Sequence, residues 1–137
     1  MIVRPITVDD IQSIVGYLYT HSKAFDPKER ICFWENAFNL DKGIGFIAYE
    51  DAIICGSIAG RIDLIESIGT IDTLFITSEH RATGLSTILL NEFESAMHKK
   101  SIKVIAVKAE KSVISFLKKN GYNTNTSQFK IKELSYV

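Results

Sequence analysis

A short polar segment, Arg81-Ala82-Thr83-Gly84-Leu85-Ser86, stands directly before the most regular helical pattern of the sequence. The first amide hydrogens of a helix have no partners within it, and they point outward with the positive end of the helix dipole. A glycine-containing loop that opens a helix is therefore a ready site for an anion, and Arg81 stands where a guanidinium can meet a phosphate. No Walker lysine accompanies the glycine, which disfavours a nucleoside triphosphate held through lysine and magnesium. The alternative is that Gly84 serves only the turn.

The helix behind this segment is predicted from apolar residues that repeat at spacings of three and four. A β-rich run from Thr70 to Thr77 precedes it, and a continuous apolar run from Ile102 to Val107 follows it. A strand-helix-strand order predicts that these two strands are parallel. The apolar positions of the helix are Leu85, Ile88, Leu89, Phe93, Ala96 and Met97.

The remaining elements are predicted from capping residues and apolar periodicity. Asp26-Pro27-Lys28-Glu29 combines a capping residue, a first-turn proline and an acid three residues after the cap, which predicts a helix running to about Leu40. Another helix is predicted after Thr7, with its apolar stripe at Ile11, Ile14, Val15 and Leu18, and a last one from Glu110 to Asn120. The other predicted strands are Ile2 to Ile6, the hairpin of Gly45 to Tyr49 with Ile53 to Ile62, and Phe129 to Val137.

Length and composition limit the classes of protein. A chain of 137 residues that is 46% hydrophobic and 23% charged fits one soluble globular domain, and no apolar stretch reaches the roughly 18 to 20 residues of a membrane span. The start of the chain lacks a secretory pattern, so we expect a cytoplasmic location. Cys32 and Cys55 are expected to be small buried residues, and the scattered histidines do not support a metal site.

Charge is balanced overall but unevenly spread. The formal net charge of zero argues against nucleic acid as a partner. Residues 1–99 hold eight Lys or Arg against 14 Asp or Glu, whereas residues 100–137 hold eight against two. Either these are two solvated faces, or an acidic side receives a cationic acceptor and a basic side receives an anionic cofactor.

The stretch from Leu74 to Ser86, followed by Ile88-Leu89-Leu90, resembles the acetyl-CoA motif of the GNAT superfamily of N-acetyltransferases, an L-x-V strand before R/Q-x-x-G-x-G/A. Arg4-Pro5 before a helix is similar to the N-terminus of that family, and Phe116 to Tyr122 is similar to its C-terminal F-Y-x-x-x-G-F. The resemblance implies a single domain over residues 1–137 with a mixed α/β (α+β) fold. In that fold a mostly antiparallel twisted sheet of six to seven strands carries about four helices, and a central parallel strand pair splays around the cofactor.

The resemblance also implies which residues bind acetyl-CoA, the acyl donor. The loop amides would hold its pyrophosphate, and the preceding strand would hold pantetheine and the thioester. No metal is implied. The cofactor-binding residues expected on this basis are Leu74, Phe75, Ile76, Arg81, Ala82, Thr83, Gly84, Leu85 and Ser86.

The sequence departs from the family pattern at three positions. Ser86 stands where the family prefers glycine or alanine, a small change that a phosphate site tolerates. Leu117 stands at the position of the tyrosine that often protonates the leaving thiolate, and Glu110 at that of an asparagine that often contacts pantetheine. Either water or a nearby hydroxyl, such as that of Tyr122 or Ser112, is expected to protonate the thiolate instead.

A base or a water relay is expected because a lysine-like amine, with a pKa of about 10.4, costs roughly 4 to 5 kcal/mol to neutralise at pH 7. The resemblance assigns this role to Asp72, whose place in the strand lets it either face the acceptor groove or face solvent. His80 could either relay protons or be an ordinary loop histidine. Trp34 could either form a wall of the acceptor pocket or pack in the core. The alternative carboxylates are Asp63, Glu66 and Glu79.

The function expected from the resemblance is transfer of an acetyl group from acetyl-CoA to a primary amine by direct attack in a ternary complex. The acceptor is a small amine or an amine of a protein or peptide, and a homodimer is one of the partners considered. Two alternatives stay open. One is a non-catalytic module that binds acyl-CoA, and the other is an interaction domain with the same fold.

Overall fold

The computed structural model describes residues 1–108, 114–123 and 129–133, and in these ranges six strands form a single sheet. The strands are β1 (Ile2–Pro5), β2 (Gly43–Glu50), β3 (Ile53–Asp63), β4 (Ile68–Ile76), β5 (Val104–Lys108) and β6 (Phe129–Glu133). The helices are α1 (Ile11–His21), α2 (Pro27–Asn39), α3 (Leu85–Lys99) and α4 (Ile114–Lys119).

The strands lie in the sheet in their sequence order, and every neighbouring pair is antiparallel except β4 and β5. The parallel pair arises because α3 carries the chain back across the sheet between them, as the strand-helix-strand pattern predicted. Of the residues of β4, only Ile68–Ile71 pair with β5, where their partners are Val104–Val107. From Asp72 onward β4 has no β5 residue beside it in the described part of the chain. The predicted mixed sheet with a splayed parallel pair is confirmed.

The local signals for helix ends hold where the structure describes them. Asp26 caps α2, since its side chain accepts a hydrogen bond of 2.9 Å from the Lys28 amide, and Pro27 is the first helical residue. Residues 110–113 of the last predicted helix and residues 134–137 of the last predicted strand lie outside the described ranges. Glu110 and Ser112 are therefore without a structural account.

Helices cover both faces of the sheet. The side chains of α3 pack with the buried Leu117 and Tyr122 on one face, and α1 and α2 pack on the other. Trp34 is buried within the α1 and α2 cluster, so it serves the core. Cys55 is buried as expected, but the expectation for Cys32 is wrong because it is exposed. Cys32 precedes Trp34 by two residues, about 200° around the helix, and therefore points away from the sheet.

The longest of the described helices is α3, with 15 residues. At 1.5 Å per residue it extends about 22 Å. No helix in the described ranges is long and apolar enough to cross a membrane.

Candidate functional site

In the described ranges, the second half of β4 has no strand paired to the edge that faces away from β3, which leaves an open backbone edge. The Thr77 amide donates a hydrogen bond of 3.0 Å to the Cys55 carbonyl of β3. Because backbone groups alternate in direction along an antiparallel pair, Phe75 also faces β3, whereas Leu74 and Ile76 direct their N–H and C=O groups away from it. These groups face the gap that β5 leaves. The edge can therefore bind an extended chain of amides in the manner of an added strand.

The loop that follows β4 ends in a cluster of backbone amides at the head of α3 that precede its first internal hydrogen bond. Gly84 takes the left-handed conformation with φ 86°, and Ala82 has φ 64°. The first backbone hydrogen bond of the helix runs from the Ile88 amide to the Gly84 carbonyl, at 3.1 Å. The amides of residues 85–87 precede that bond, and no side chain of the described residues caps them. A Cβ placed on Gly84 would meet nothing within 4 Å. The loop therefore presents an accessible anion site at the end of the open edge.

A chain of polar contacts holds this loop to the sheet. The Thr77 hydroxyl lies 3.3 Å from the Cys55 carbonyl and 2.9 Å from Nδ1 of His80. Nε2 of His80 lies 3.5 Å from a carboxylate oxygen of Glu50, and the Thr83 hydroxyl donates to the His80 carbonyl. His80 therefore joins the loop to β2 and β3, and these contacts favour a positioning role over the proton relay considered from the sequence.

Arg81 folds back over the open edge. Its Nε donates a hydrogen bond of 3.1 Å to the Ile76 carbonyl, and its guanidinium carbon lies 5.7 Å from the centre of the Phe75 ring. The Arg81 side chain therefore lies between the strand edge and the amides of the loop. It binds the Ile76 carbonyl oxygen, which is one of the acceptors that face the gap. A phosphate bound at the loop would lie within the reach of this side chain.

Asp72 lies at a bulge and forms an ion pair. The register of β3 against β4 shifts by one residue at this point, which leaves Asp72 without an opposite residue in β3. Both of its carboxylate oxygens accept hydrogen bonds of 2.8 Å from Arg61, and this contact raises the pKa of Arg61. The Arg61 guanidinium also lies 5.3 Å from the ring centre of Phe33 in α2. The carboxylate thus faces the α2 side of the sheet, but a guanidinium already binds both oxygens.

The structure does not bring Tyr122 to the loop. Its buried hydroxyl donates a hydrogen bond of 2.7 Å to Glu94, and burial, reinforced by that bond, raises its pKa. Glu94 follows Ser86 by eight residues, which is about 12 Å along α3. Leu117 is buried as well, only 1% exposed. This placement makes Tyr122 part of the core, and it does not support the role of an acid that protonates the thiolate.

Two residues that the sequence reasoning missed, Tyr17 and His21, lie against Phe75 on the α1 side. The Tyr17 ring centre is 5.6 Å from that of Phe75, and the His21 ring centre is 5.0 Å from it. Among the described residues the buried Tyr17 hydroxyl has no hydrogen-bond partner, and burial raises its pKa. Their separation of four residues on a predicted helix indicated a shared face, but not which strand that face contacts.

The alternative carboxylates are surface groups. Asp63 accepts hydrogen bonds of 3.0 Å from the amides of Ile65 and Glu66 and so closes the turn between β3 and β4; Glu66 and Glu79 are exposed. In the described ranges, no group of three or more His, Cys, Asp or Glu side chains is placed to hold a metal ion. A separate cavity under α1 and α2 has a volume of only about 10 Å³, which is too small for a substrate. It is lined by Ile6, Ile11, Ile14, Val15, Leu18, Trp34, Ala59 and Thr73.

Comparison with known proteins gives the following matches. The family described as acetyltransferase (GNAT) domain matches residues 27–137, whereas no curated protein sequence matches the chain. The solved structure of GCN5 from Tetrahymena has a TM-score of 0.76 at 17% identity, with 100% of this chain and 99% of that chain covered. PaiA N-acetyltransferase from Thermoplasma acidophilum, in complex with coenzyme A, has a TM-score of 0.66 at 18% identity, with 99% and 100% covered. Ribosomal-protein-alanine N-acetyltransferase from Brucella melitensis has a TM-score of 0.75 at 15% identity, with 98% and 100% covered.

Proposed function

The chain belongs to the GNAT family of acetyltransferases, and we propose that it transfers an acetyl group from acetyl-CoA to the primary amine of a small molecule, peptide or protein. The observation that carries the proposal is the continuity of the open β4 edge with the uncapped amides at the head of α3. The edge offers hydrogen bonds to the amides of pantetheine, and the loop offers a positive site to the pyrophosphate. One extended donor molecule fits both.

The donor would lie along β4 with its phosphates at the loop. The N–H and C=O groups of Leu74 and Ile76 would pair with pantetheine, and the amides of residues 82–86 would receive the pyrophosphate. Gly84 fits this role because the space beside its Cα is open. Arg81 would exchange its bond to the Ile76 carbonyl for a phosphate oxygen, which a guanidinium binds more strongly.

The reaction would proceed by direct attack of a neutral amine on the thioester carbonyl. The Ile76 amide, which faces the gap, is the donor we assign to the carbonyl oxygen as negative charge develops on it. A leaving thiol with a pKa of about 8.5 is only moderately basic, so water suffices to protonate it. This reaction therefore needs no acid at the positions of Leu117 and Tyr122. Because Arg61 binds both oxygens of Asp72, we assign Asp72 to holding the β4 bulge rather than to accepting the amine proton.

A second function, an acyl-CoA-binding module without turnover, is favoured by a specific observation. The hydroxyl of Tyr122 is bound by Glu94, and the carboxylate of Asp72 is bound by Arg61. The two groups predicted from the sequence to transfer protons, the Tyr122 hydroxyl and the Asp72 carboxylate, are thus hydrogen-bonded to other side chains of the protein.

Two measurements on the full chain test the proposal. Acetyl-CoA should raise the unfolding temperature, and thiol release from acetyl-CoA should accelerate with at least one member of a panel of polyamines, aminoglycosides, peptide N-termini and lysine peptides. Stabilisation without thiol release across the panel would favour the binding module. Absence of stabilisation by acetyl-CoA would contradict both functions and would favour the interaction domain.

A further inference from the structure

The last turn of α1 places an imidazole beside the open end of β4. The ring centres of His21 and Phe75 are 5.0 Å apart. Phe75 lies between Leu74 and Ile76, the two residues whose backbone groups face the gap. His21 thus approaches the proposed thioester segment from the face of the sheet that carries α1 and α2, opposite to the face that carries α3.

Hydrogen bonds within α1 determine which nitrogen of His21 can act as a base. Nδ1 lies 2.8 Å from the Tyr17 carbonyl oxygen and 3.0 Å from the Thr20 hydroxyl. A carbonyl oxygen only accepts, so Nδ1 carries the hydrogen, and the lone pair of the neutral ring is on Nε2. His21 is exposed, and no hydrogen bond to Nε2 is present among the described residues. The ring is therefore oriented by its own helix, with its basic nitrogen accessible.

The groups around His21 do not compete with it for a proton. Its titratable neighbour on α1 is Tyr17, whose pKa burial raises, so this phenol stays neutral. On β4 the contact is the uncharged Phe75 ring, and Arg81, a permanent cation, lies over the same ring. Asp72, the carboxylate predicted as the base, is bound to Arg61 through both oxygens.

We propose that His21 is the catalytic residue that accepts the amine proton, an assignment that rests on the proposed acetyltransferase function. The amine nitrogen forms a bond to the thioester carbonyl carbon and gives its proton to Nε2. The bond between carbon and sulfur breaks, water protonates the thiolate, and His21 returns the acquired proton to solvent. The products are the acetamide and free coenzyme A.

The variant His21→Asn tests this role because an asparagine amide can donate to the Tyr17 carbonyl in place of Nδ1 but has no basic nitrogen. With an amine that the wild type acetylates, kcat/KM at pH 7 should fall about a hundredfold, the lower end of the effect of a general base. The deficit should shrink as the pH rises toward 10, because a growing fraction of the amine is then neutral before it binds. Stabilisation by acetyl-CoA should not change. His98→Asn, in the last turn of α3, is the matched control and should retain wild-type kinetics.

Each other outcome overturns the assignment. An unchanged pH profile in His21→Asn would show that another group takes the proton, while the proposed function would stand. An equal loss at every pH, together with a lower unfolding temperature, would show a structural role. If wild-type protein binds acetyl-CoA and acetylates no amine, the proposed function fails, and the role of His21 fails with it.

Discussion

Gly84→Ala separates the two roles open to this glycine, forming the turn and admitting the pyrophosphate. Gly84 has φ 86° and ψ 2°, a left-handed conformation that costs a residue with a side chain about 1 to 2 kcal/mol. A Cβ at this position meets nothing within 4 Å, so no steric cost is added. For a chain of this length, such a loss lowers the unfolding temperature by roughly 3 to 8 °C. This first effect is independent of any ligand.

The second effect concerns acetyl-CoA. At a concentration of 100 times the dissociation constant, a ligand that binds only the folded state stabilises it by about 2.7 kcal/mol. The added methyl group would stand in the open space from which a pyrophosphate reaches the loop amides. If it weakens binding tenfold, the stabilisation at the same concentration falls to about 1.4 kcal/mol. The variant should therefore lose stability both without the ligand and in its response to it.

The assay is thermal or urea unfolding of wild type and variant, each with and without acetyl-CoA. Gly16→Ala is a matched control because Gly16 lies exposed within α1 and its added Cβ also meets nothing within 4 Å. There the same substitution should stabilise the protein by about 0.5 to 1 kcal/mol, since alanine is the better helix former. If Gly84→Ala loses intrinsic stability but keeps the full response to acetyl-CoA, Gly84 serves only the turn. If it loses no intrinsic stability, the left-handed backbone argument is wrong.

Three further predictions concern other parts of the molecule. Gly60→Ala should destabilise the protein by about 2 to 3 kcal/mol in urea unfolding, because its Cβ would overlap the Thr70 carbonyl oxygen and the backbone must move; wild-type stability would refute the close approach. Hydrogen bonding from Arg4 lowers the pKa of Asp10 from 3.8 to about 2, so the stability that Asp10 contributes is present above pH 4 and is lost as the pH falls toward 2. Asp10→Asn should therefore be less stable than wild type at pH 7, with the difference closing near pH 2, and a difference independent of pH would contradict the assignment. Arg81→Ala should raise the KM for acetyl-CoA but not for S-acetyl-pantetheine, which has no phosphate, and an equal rise for both donors would indicate that Arg81 only shapes the loop.

Signals between near neighbours in the sequence were enough for much of the fold. The start of α2 depended on Asp26 and Pro27, which act within a single turn, and the structure confirms it. The parallel pair followed from the strand-helix-strand order. A helix that crosses over between two strands of one sheet makes them parallel, and this does not depend on which side chains they carry. The head of α3 was predictable for the same reason, since a helix has unpartnered first amides wherever it begins.

The partners of Asp72, Tyr122 and Phe75 could be known only from the tertiary structure. Asp72 meets Arg61 because β3 pairs with β4 in one register with one bulge. Tyr122 meets Glu94 across 28 residues of chain, and His21 meets Phe75 only because α1 packs on the face of the sheet opposite α3. The sequence by itself determined where a helix begins with unpartnered amides, because caps and helix ends depend on adjacent residues. Which side chains stay available for proton transfer depends on strand register and on packing between distant segments, and only the folded chain decides these.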